Sequence, residues 1–583
     1  MQSRAIRPSL GPLGFRVARR HWVSSWLALT LAVCAVTASA AVPVQVEVVA
    51  APHAIVVAGH PQAAQAGVEV LKAGGNAIDA AVAVSLALGV AEPYGSGLGG
   101  KLMLLYHEAR SGRTYVVDAM DAAGSVDVPA YLRRPEADHD YGYGAVCVPG
   151  LAAGLWVAHQ RWGERKWADD VAPSVILARE GFEILPKTRE FFAEQEEKLR
   201  RGDQEIARLY LPGGHLPAVG SHLPNPDLAH TLELLAQHGR DGFYRGPVAE
   251  AIAAASQHGG GAVTLDDLAR YEARLTEPIG IDFRGYRLVA GPPPASGASL
   301  FLTIMKVLEE DDFSGGPLRT AANLDRVGRV WREVQPLVQR GIADVPQALP
   351  NFEQMVAPDS IRAIRRKVGL TAGRSEPVSF DESGATASAM AATTHFLVAD
   401  ADGNVVCATQ SQSLHFGAGV VPPGTGVVLN DSMSNFSYTE PLSVNYVAPG
   451  KRPRSTIAPV IVFRAGRPVF AIGIPGAARI PTAMLQALLD RLTLGRPLAE
   501  AIGDTRIHFN RNWRRNGEES LETETSLPET EAAALRRLGW KVMLAEPAGT
   551  GRLFGGINAV EFVPGGGYVG YADPRRTNHA AGY

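Results

Sequence analysis

The chain has 583 residues, with 56 basic against 59 acidic side chains, 46% apolar content and three cysteines. A balance this even, with no long basic run, makes the chain a poor candidate for binding nucleic acid or anionic membrane through bulk charge. Three cysteines with no CxxC pair or His/Cys cluster exclude a disulfide framework and give no support to a structural zinc site.

The first forty residues read as a secretory signal peptide. Arg4, Arg7, Arg16, Arg19 and Arg20 occur with no acidic residue, followed by the apolar run "WLALTLAVCAV" and the cleavage box Ala38-Ser39-Ala40. The run is too short for a membrane span, and a buried N-terminal helix leaves the charges unexplained. The residues after Arg19-Arg20 match a twin-arginine signal weakly. Cys34 follows Leu-Ala-Val, bulkier than a lipoprotein box takes, so no lipid anchor is expected. Removal of residues 1–40 leaves 51 basic against 59 acidic side chains and a periplasmic or secreted protein. Cys147 and Cys407 then remain, each among apolar neighbours, and are expected as buried free thiols.

The Val-rich "VQVEVVAAPHAIVVAGH" predicts a strand. Two helices follow in "PQAAQAGVEVLKAGGNAIDAAVAVSLALGVAEP", broken at Gly74-Gly75, the second (Ala77 to Val90) apolar on nearly every face and therefore buried. A Gly-rich turn, "YGSGLGG", leads into a hairpin around Ser111-Gly112. Residues 150–290 are mainly helical, ending in a strand, the turn "GPPPASG" and a further helix. From Glu353 to Ala392 the composition turns charged, then small and polar, which predicts a linker mobile near its end. Strand signals dominate from Thr394, with helices at "IPTAMLQALLDRLTLG" and "ETEAAALRRLG". Sheets covered by helices, an α/β or α+β layered architecture, follow from this order.

In "AATTHFLVADADGNVV", Asp402-Gly403 predicts a two-residue type I′ turn, which pairs Ala401 with Asn404. That register sets Thr393 opposite Gln412 and gathers the hydroxyls of Thr393, Thr394, Ser411 and Ser413 at one end of the hairpin. Threonine and serine also favour strands for purely structural reasons. "DADGN" is not a calcium loop, because Gly403 is its fourth residue and Ser411 its twelfth.

The same stretch resembles the processing site of the γ-glutamyltranspeptidases, N-terminal-nucleophile (Ntn) hydrolases. The resemblance runs through "AGHPQAAQAGVEVLKAGGNAIDAAVAVSLALGVAEP", "SGLGG", "VPGLAAGLWVAHQRWG", "PPPASGASL", "PGKRPRSTIAP", "GIPGAARI" and "YADPRRTNHAAGY". It implies a four-layer αββα sandwich made from one chain cut between Ala392 and Thr393, giving a large subunit (41–392) and a small one (393–583) that stay together as a heterodimer. It implies no cofactor and no metal. A threonine hydroxyl needs a base, and in this class the base is the residue's own α-amino group, with a pKa of about 8. The resemblance further implies an oxyanion hole at the N–H groups of Gly476 and Ala477, and supporting roles for Thr394 and Ser411. The family prefers two glycines there; Ala477 keeps the N–H but is expected to demand a more ordinary φ.

The positions implied for acyl recognition depart from the family. Met120 stands where the family has an arginine, Asn435 where it has an aspartate and Ser413 where it has an asparagine; its paired serines read Ser455-Thr456. The segment between Phe436 and Lys451 is short, which predicts a reduced lid. Charge-assisted hydrogen bonds contribute roughly 1.5–3 kcal/mol each, so loss of two weakens γ-glutamyl recognition. Three readings stay open: a γ-glutamyl hydrolase or transpeptidase of glutathione-hydrolase type, with water or an amino acid or peptide as acceptor; an amidase for another acyl group, such as a glutaryl or cephalosporin acylase; and a non-enzymatic binding relative.

Overall fold

The computed structural model describes residues 44–583 except 136–137, 314–315, 371–390, 513–517 and 546–551. The expected signal peptide and the end of the expected linker lie outside the described residues. No helix among the described residues is long and apolar enough to cross a membrane.

Two seven-stranded sheets lie face to face. The first runs, edge to edge, through His579–Gly582, Ile55–Ala58, Ala391–Ala399, Val405–Leu414, Lys101–Glu108, Arg113–Ala119 and Arg274–Thr276. The second runs through Glu47–Ala51, Tyr568–Ala572, Asn558–Phe562, Arg467–Gly473, Val460–Arg464, Tyr286–Ala290 and Ile279–Phe283. Side chains alternate across each strand. Phe396 and Val398 enter a core shared with the helices Pro61–Lys72, Ala77–Ala91 and Leu151–Trp162. Leu397 and Ala399 enter the core between the two sheets. A third core joins the second sheet to the helices Ser296–Val307, Ala321–Gly341 and Ile480–Leu492. The layers are helix, sheet, sheet, helix: the expected αββα sandwich.

The helix Ala77–Ala91 is buried along nearly its whole length, as its all-round apolar sequence predicts. Asn76 and Asp79 form a capping box at its start, and Asp79, His159 and Asp170 meet in a buried charged cluster that Arg165 completes. Cys147 and Cys407 are both buried and free.

Three expectations need correction. The N-terminal Val-rich segment is two strands, Glu47–Ala51 and Ile55–Ala58, placed in different sheets because Pro52-His53 turns the chain from one to the other. The linker expected from Glu353 is helical at its start: Ala348–Val356 and Pro358–Lys367 bury Phe352, Met355, Ile361 and Ile364. The hairpin register is also one residue shorter than predicted, with Ala399 opposite Val405 and Leu397 opposite Cys407.

The turn explains that last shift. Type I′ geometry needs two residues at positive φ, and only Gly403 has it, at 86°. A three-residue loop therefore connects Asp400 to Asn404, closed by Asp400 N–H donating to Asn404 O at 3.1 Å. The Asp400 carboxylate accepts from Asp402 N and Asn404 N at 3.0 Å each, from Asn404 Nδ2 at 2.9 Å, and from Ala77 N at 2.9 Å. It thus fastens the hairpin to the start of the buried helix. Asp400→Ala is expected to cost about 2–4 kcal/mol, from several charge-assisted bonds lost at once; urea denaturation measures it, and a change within experimental error would contradict the assignment.

Candidate active site

The strand Ala391–Ala399 passes unbroken through Ala392 and Thr393, so it starts before the expected scission point. Its register with Val405–Leu414 shifts there: Ala392 faces Ser413, whereas Thr394 faces Gln410. Thr393 consequently faces both Ser411 and Gln412 across a β-bulge, a device that re-aims side chains. The Thr393 and Ser411 hydroxyls lie 3.0 Å apart, and both donate to the carbonyl oxygen of Ala392. Ser413 N–H donates to Ser411 Oγ at 3.0 Å, with Ser413 held at φ 78°. Both Thr393 and Ser411 are buried.

Gly100 permits this arrangement: a Cβ there would lie 2.3 Å from Ser411 O. Gly476 and Ala477 follow the strand Arg467–Gly473 of the other sheet, with Gly476 at φ 141° and Ala477 at φ 52°, and Ala477 lines the cavity that also holds Thr393 and Ser411. Ala477 therefore does not take the ordinary φ expected of it. It adopts the left-handed region at a cost of roughly 1–2 kcal/mol, and Thr456 Oγ1 holds its carbonyl at 2.8 Å.

The expected hydroxyl cluster divides. Thr393, Ser411 and Ser413 share one cavity wall. Thr394 points to the opposite face of the sheet, beside Gly59 and the buried carboxyl of Glu92. Burial holds the Glu92 carboxyl above the usual carboxylate range. Met120, expected at the acyl site, does not line the cavity; its side chain is fully buried in the core between the sheets. Tyr271 OH donates to its carbonyl at 2.6 Å. Asn435, Ser455 and Thr456 do line the cavity, and Asn435 Nδ2 donates to Ser413 Oγ at 2.8 Å. The short segment expected as a reduced lid folds back on itself through Ser437 and Asn445 and contributes Phe436, Ser437 and Asn445 to the wall.

Two cations in the cavity are not signalled by the sequence. Lys101, the first residue of its strand, is 1% exposed. Its Nζ donates to Asp121 Oδ2 at 3.0 Å and to Ser413 Oγ and Ser432 Oγ at 2.6 Å each. Arg454 lies on the wall beside Ser455, and its Nη1 donates to the carbonyls of Gln339 (2.9 Å) and Ile342 (3.2 Å) at the C-terminal end of Ala321–Gly341. Burial alone brings its pKa down to about 10, so it stays charged at neutral pH. His508, also on the wall, is held down to about 3 by burial and stays neutral. The cavity measures about 230 Å³, and no aspartate or glutamate lines it among the described residues.

An αββα sandwich that presses a strand threonine hydroxyl against the carbonyl before it has the architecture of an N-terminal-nucleophile hydrolase. The chain belongs to the γ-glutamyltranspeptidase family, an enzyme family whose profile, described as Gamma-glutamyltranspeptidase, matches residues 63–583. The glutathione hydrolase proenzyme of Bacillus subtilis (strain 168) is 32% identical over 516 residues, covering 84% of this chain and 85% of that protein. The acylase ACY 1 proenzyme of Pseudomonas sp. (strain SE83) is 34% identical over 548 residues, covering 89% and 91%. Among solved structures, cephalosporin acylase from Bacillus halodurans superposes with a TM-score of 0.80 at 27% identity, over 94% of this chain and 98% of that one.

Gly100→Ala tests the packing beneath Ser411. Because the added methyl meets backbone, it is expected to cost about 1–3 kcal/mol and to displace Ser411; thermal unfolding with unchanged Tm would contradict the close approach.

Proposed function

We propose that the protein is a self-processing N-terminal-threonine amidohydrolase and acyltransferase, of glutathione-hydrolase type, that takes the acyl group of γ-glutamyl-like amides through an acyl-enzyme. The observation that carries this reading is the convergence of the Thr393 and Ser411 hydroxyls on the Ala392 carbonyl. In the processing step, Thr393 Oγ adds to the Ala392 carbonyl carbon and its proton passes to the Thr393 nitrogen. The C–N bond then breaks, leaving an ester on Oγ and a free α-amine. Water hydrolyses the ester, releasing the Ala392 carboxylate and restoring the hydroxyl. Ser411 Oγ–H is placed to stabilise the developing alkoxide on the Ala392 oxygen.

The new amine then serves as the base. It takes the Thr393 hydroxyl proton as Oγ attacks the donor amide and gives that proton to the departing amine. Water or an amino compound resolves the ester. The N–H groups of Gly476 and Ala477 are the oxyanion donors in this reading. The mature protein is a heterodimer of 41–392 and 393–583, exported after loss of 1–40 to the periplasm or medium.

A second reading, an amidase for an acyl group without an amine, is favoured by the absence of a carboxylate on the cavity wall among the described residues. The acylase relatives point the same way.

Purified protein is expected to give two bands of roughly 37 and 20 kDa, the 61.9 kDa total scaled by residue count. Thr393→Ala should remain a single band without turnover, and Ser411→Ala should process about 10²-fold more slowly, as for loss of one oxyanion donor. Cleavage at normal rate in either variant on a time-course gel contradicts the roles given. With the α-amine as base, kcat/KM for a p-nitroanilide donor should rise with pH to a plateau above about 8; a profile flat from pH 5 to 9 would rule that base out.

A further inference from the structure

The cavity beside Thr393 carries an unusual distribution of charge. Of the three cations on its wall, Lys101 is bound to Asp121 and Arg511 to Glu519. Arg454 has no carboxylate partner among the described residues. Its Nη1 is held by helix-end carbonyls, while no acceptor among the described residues faces its Nε or Nη2. A guanidinium fixed in this way presents an unused fork of donors, the geometry that suits a carboxylate. Its place is set from both sides, because Arg454 N–H donates to Asn445 Oδ1 at 3.0 Å and Asn445 Nδ2 donates to Asn435 O at 2.7 Å.

Lys101, elsewhere on the same wall, is already neutralised by Asp121. All three N–H donors of Lys101 are spent on Asp121, Ser413 and Ser432. Ser413 in turn takes the Asn435 amide. An ammonium brought in by a substrate would find Lys101 already holding Asp121, with no free carboxylate among the described wall residues to offset its own desolvation.

We infer that Arg454 anchors the terminal carboxylate of the acyl donor and that Lys101 occupies the place of a substrate ammonium, so that the site selects ω-carboxyacyl amides lacking an α-amine. This rests on the amidohydrolase mechanism above and, for the acyl group, takes the second of the two readings. Glutaryl and γ-glutamyl groups share a five-carbon chain ending in a carboxylate and differ in the amine alone. Glutaryl donors are therefore the preferred class, with γ-glutamyl donors turned over more slowly.

The test compares kcat/KM for glutaryl-, γ-glutamyl- and butyryl-p-nitroanilide. Glutaryl is expected to exceed both others at least about tenfold, from one charge-assisted hydrogen bond formed or one uncompensated desolvation avoided. Arg454→Met should lower the glutaryl-to-butyryl ratio about 10- to 100-fold, mainly through KM, and Arg454→Lys should restore part of it. Lys101→Ala, if it still processes into two bands, should raise the γ-glutamyl-to-glutaryl ratio. Butyryl-4-aminobenzoate carries its carboxylate on the leaving side; if Arg454→Met depresses its cleavage and spares glutaryl-p-nitroanilide, the anchor serves the leaving group and the inference is overturned. Equal rates on glutaryl and butyryl donors, or an Arg454→Met ratio unchanged in folded protein, overturn it as well. Calorimetric titration of glutarate into the uncut Thr393→Ala protein reads the anchor without turnover. Binding at least about tenfold tighter than in Thr393→Ala/Arg454→Met supports the inference even if no anilide is cleaved, an outcome that would count against the amidohydrolase reading alone. Equal binding, or tighter binding of L-glutamate than of glutarate, sinks it.

Discussion

The structure depends on one contact, the approach of the Thr393 hydroxyl to the carbonyl of Ala392. A regular antiparallel ladder would set one residue opposite Thr393. The bulge sets two, and so brings Ser411 Oγ onto the same carbonyl. In the processing step proposed above, the electrophile, the nucleophile and a hydrogen-bond donor for the developing charge are thereby fixed before any bond changes, and such preorganisation usually contributes more to the rate than any other single effect.

A contact of this precision needs strands that cannot shift. The strand Ala391–Ala399 is flanked by strands on both edges and buried on both faces, so a register slip would move each of its side chains into the wrong core. His395 shows how closely the layers approach. Its ring sits where a Cβ on Gly473 of the opposing sheet would come within 2.2 Å, with Thr409 Oγ1 at 2.8 Å from Nδ1. Burial holds this histidine at about 3, so it is neutral near neutral pH and acts as a spacer between sheets. Ile472 and Gly473 lead from that close-packed layer into the turn of Gly476 and Ala477. The N–H groups proposed as oxyanion donors therefore come from the opposite sheet and are positioned by the same packing.

Much of this was legible in the sequence, for identifiable reasons. The apolar helix from Ala77, the two buried thiols and the hairpin containing Thr393 follow from composition, periodicity and turn residues. The exact register did not, because Asp-Gly occurs in both two- and three-residue turns and the choice rests on the Asp400 side chain, which reaches Ala77 more than three hundred residues away. The helices at Ala348–Val356 and Pro358–Lys367 did carry a signal, since Phe352, Met355, Ile361 and Ile364 recur at helical spacing, but charged composition hid it. Lys101 and Arg454 were not legible as site residues. A lone lysine entering an apolar strand and an arginine in a Pro-rich turn acquire meaning from partners distant in sequence: Asp121, Ser413 and Ser432 for the one, a helix end for the other.

The two cations differ in what folding has already spent on them. Lys101 and Asp121 form a buried pair in which mutual attraction and the two serine hydroxyls offset part of the desolvation, burial still holding the Asp121 carboxyl above the usual carboxylate range, so the pair holds the serines in place and offers a ligand little further attraction. Arg454 has lost hydration and received helix-end carbonyls in return, whose partial negative charge compensates a full positive charge incompletely. The unbalanced part of that cost is borne by the fold before any substrate arrives. An anion entering the cavity meets a guanidinium that is partly shielded from water and whose orientation is already set, and this makes the attraction stronger than it would be at an exposed arginine. The same low-dielectric surroundings penalise an incoming cation twice, by desolvation and by repulsion. Discrimination between acyl groups that differ by one amine thus follows from where the protein has placed its own charges.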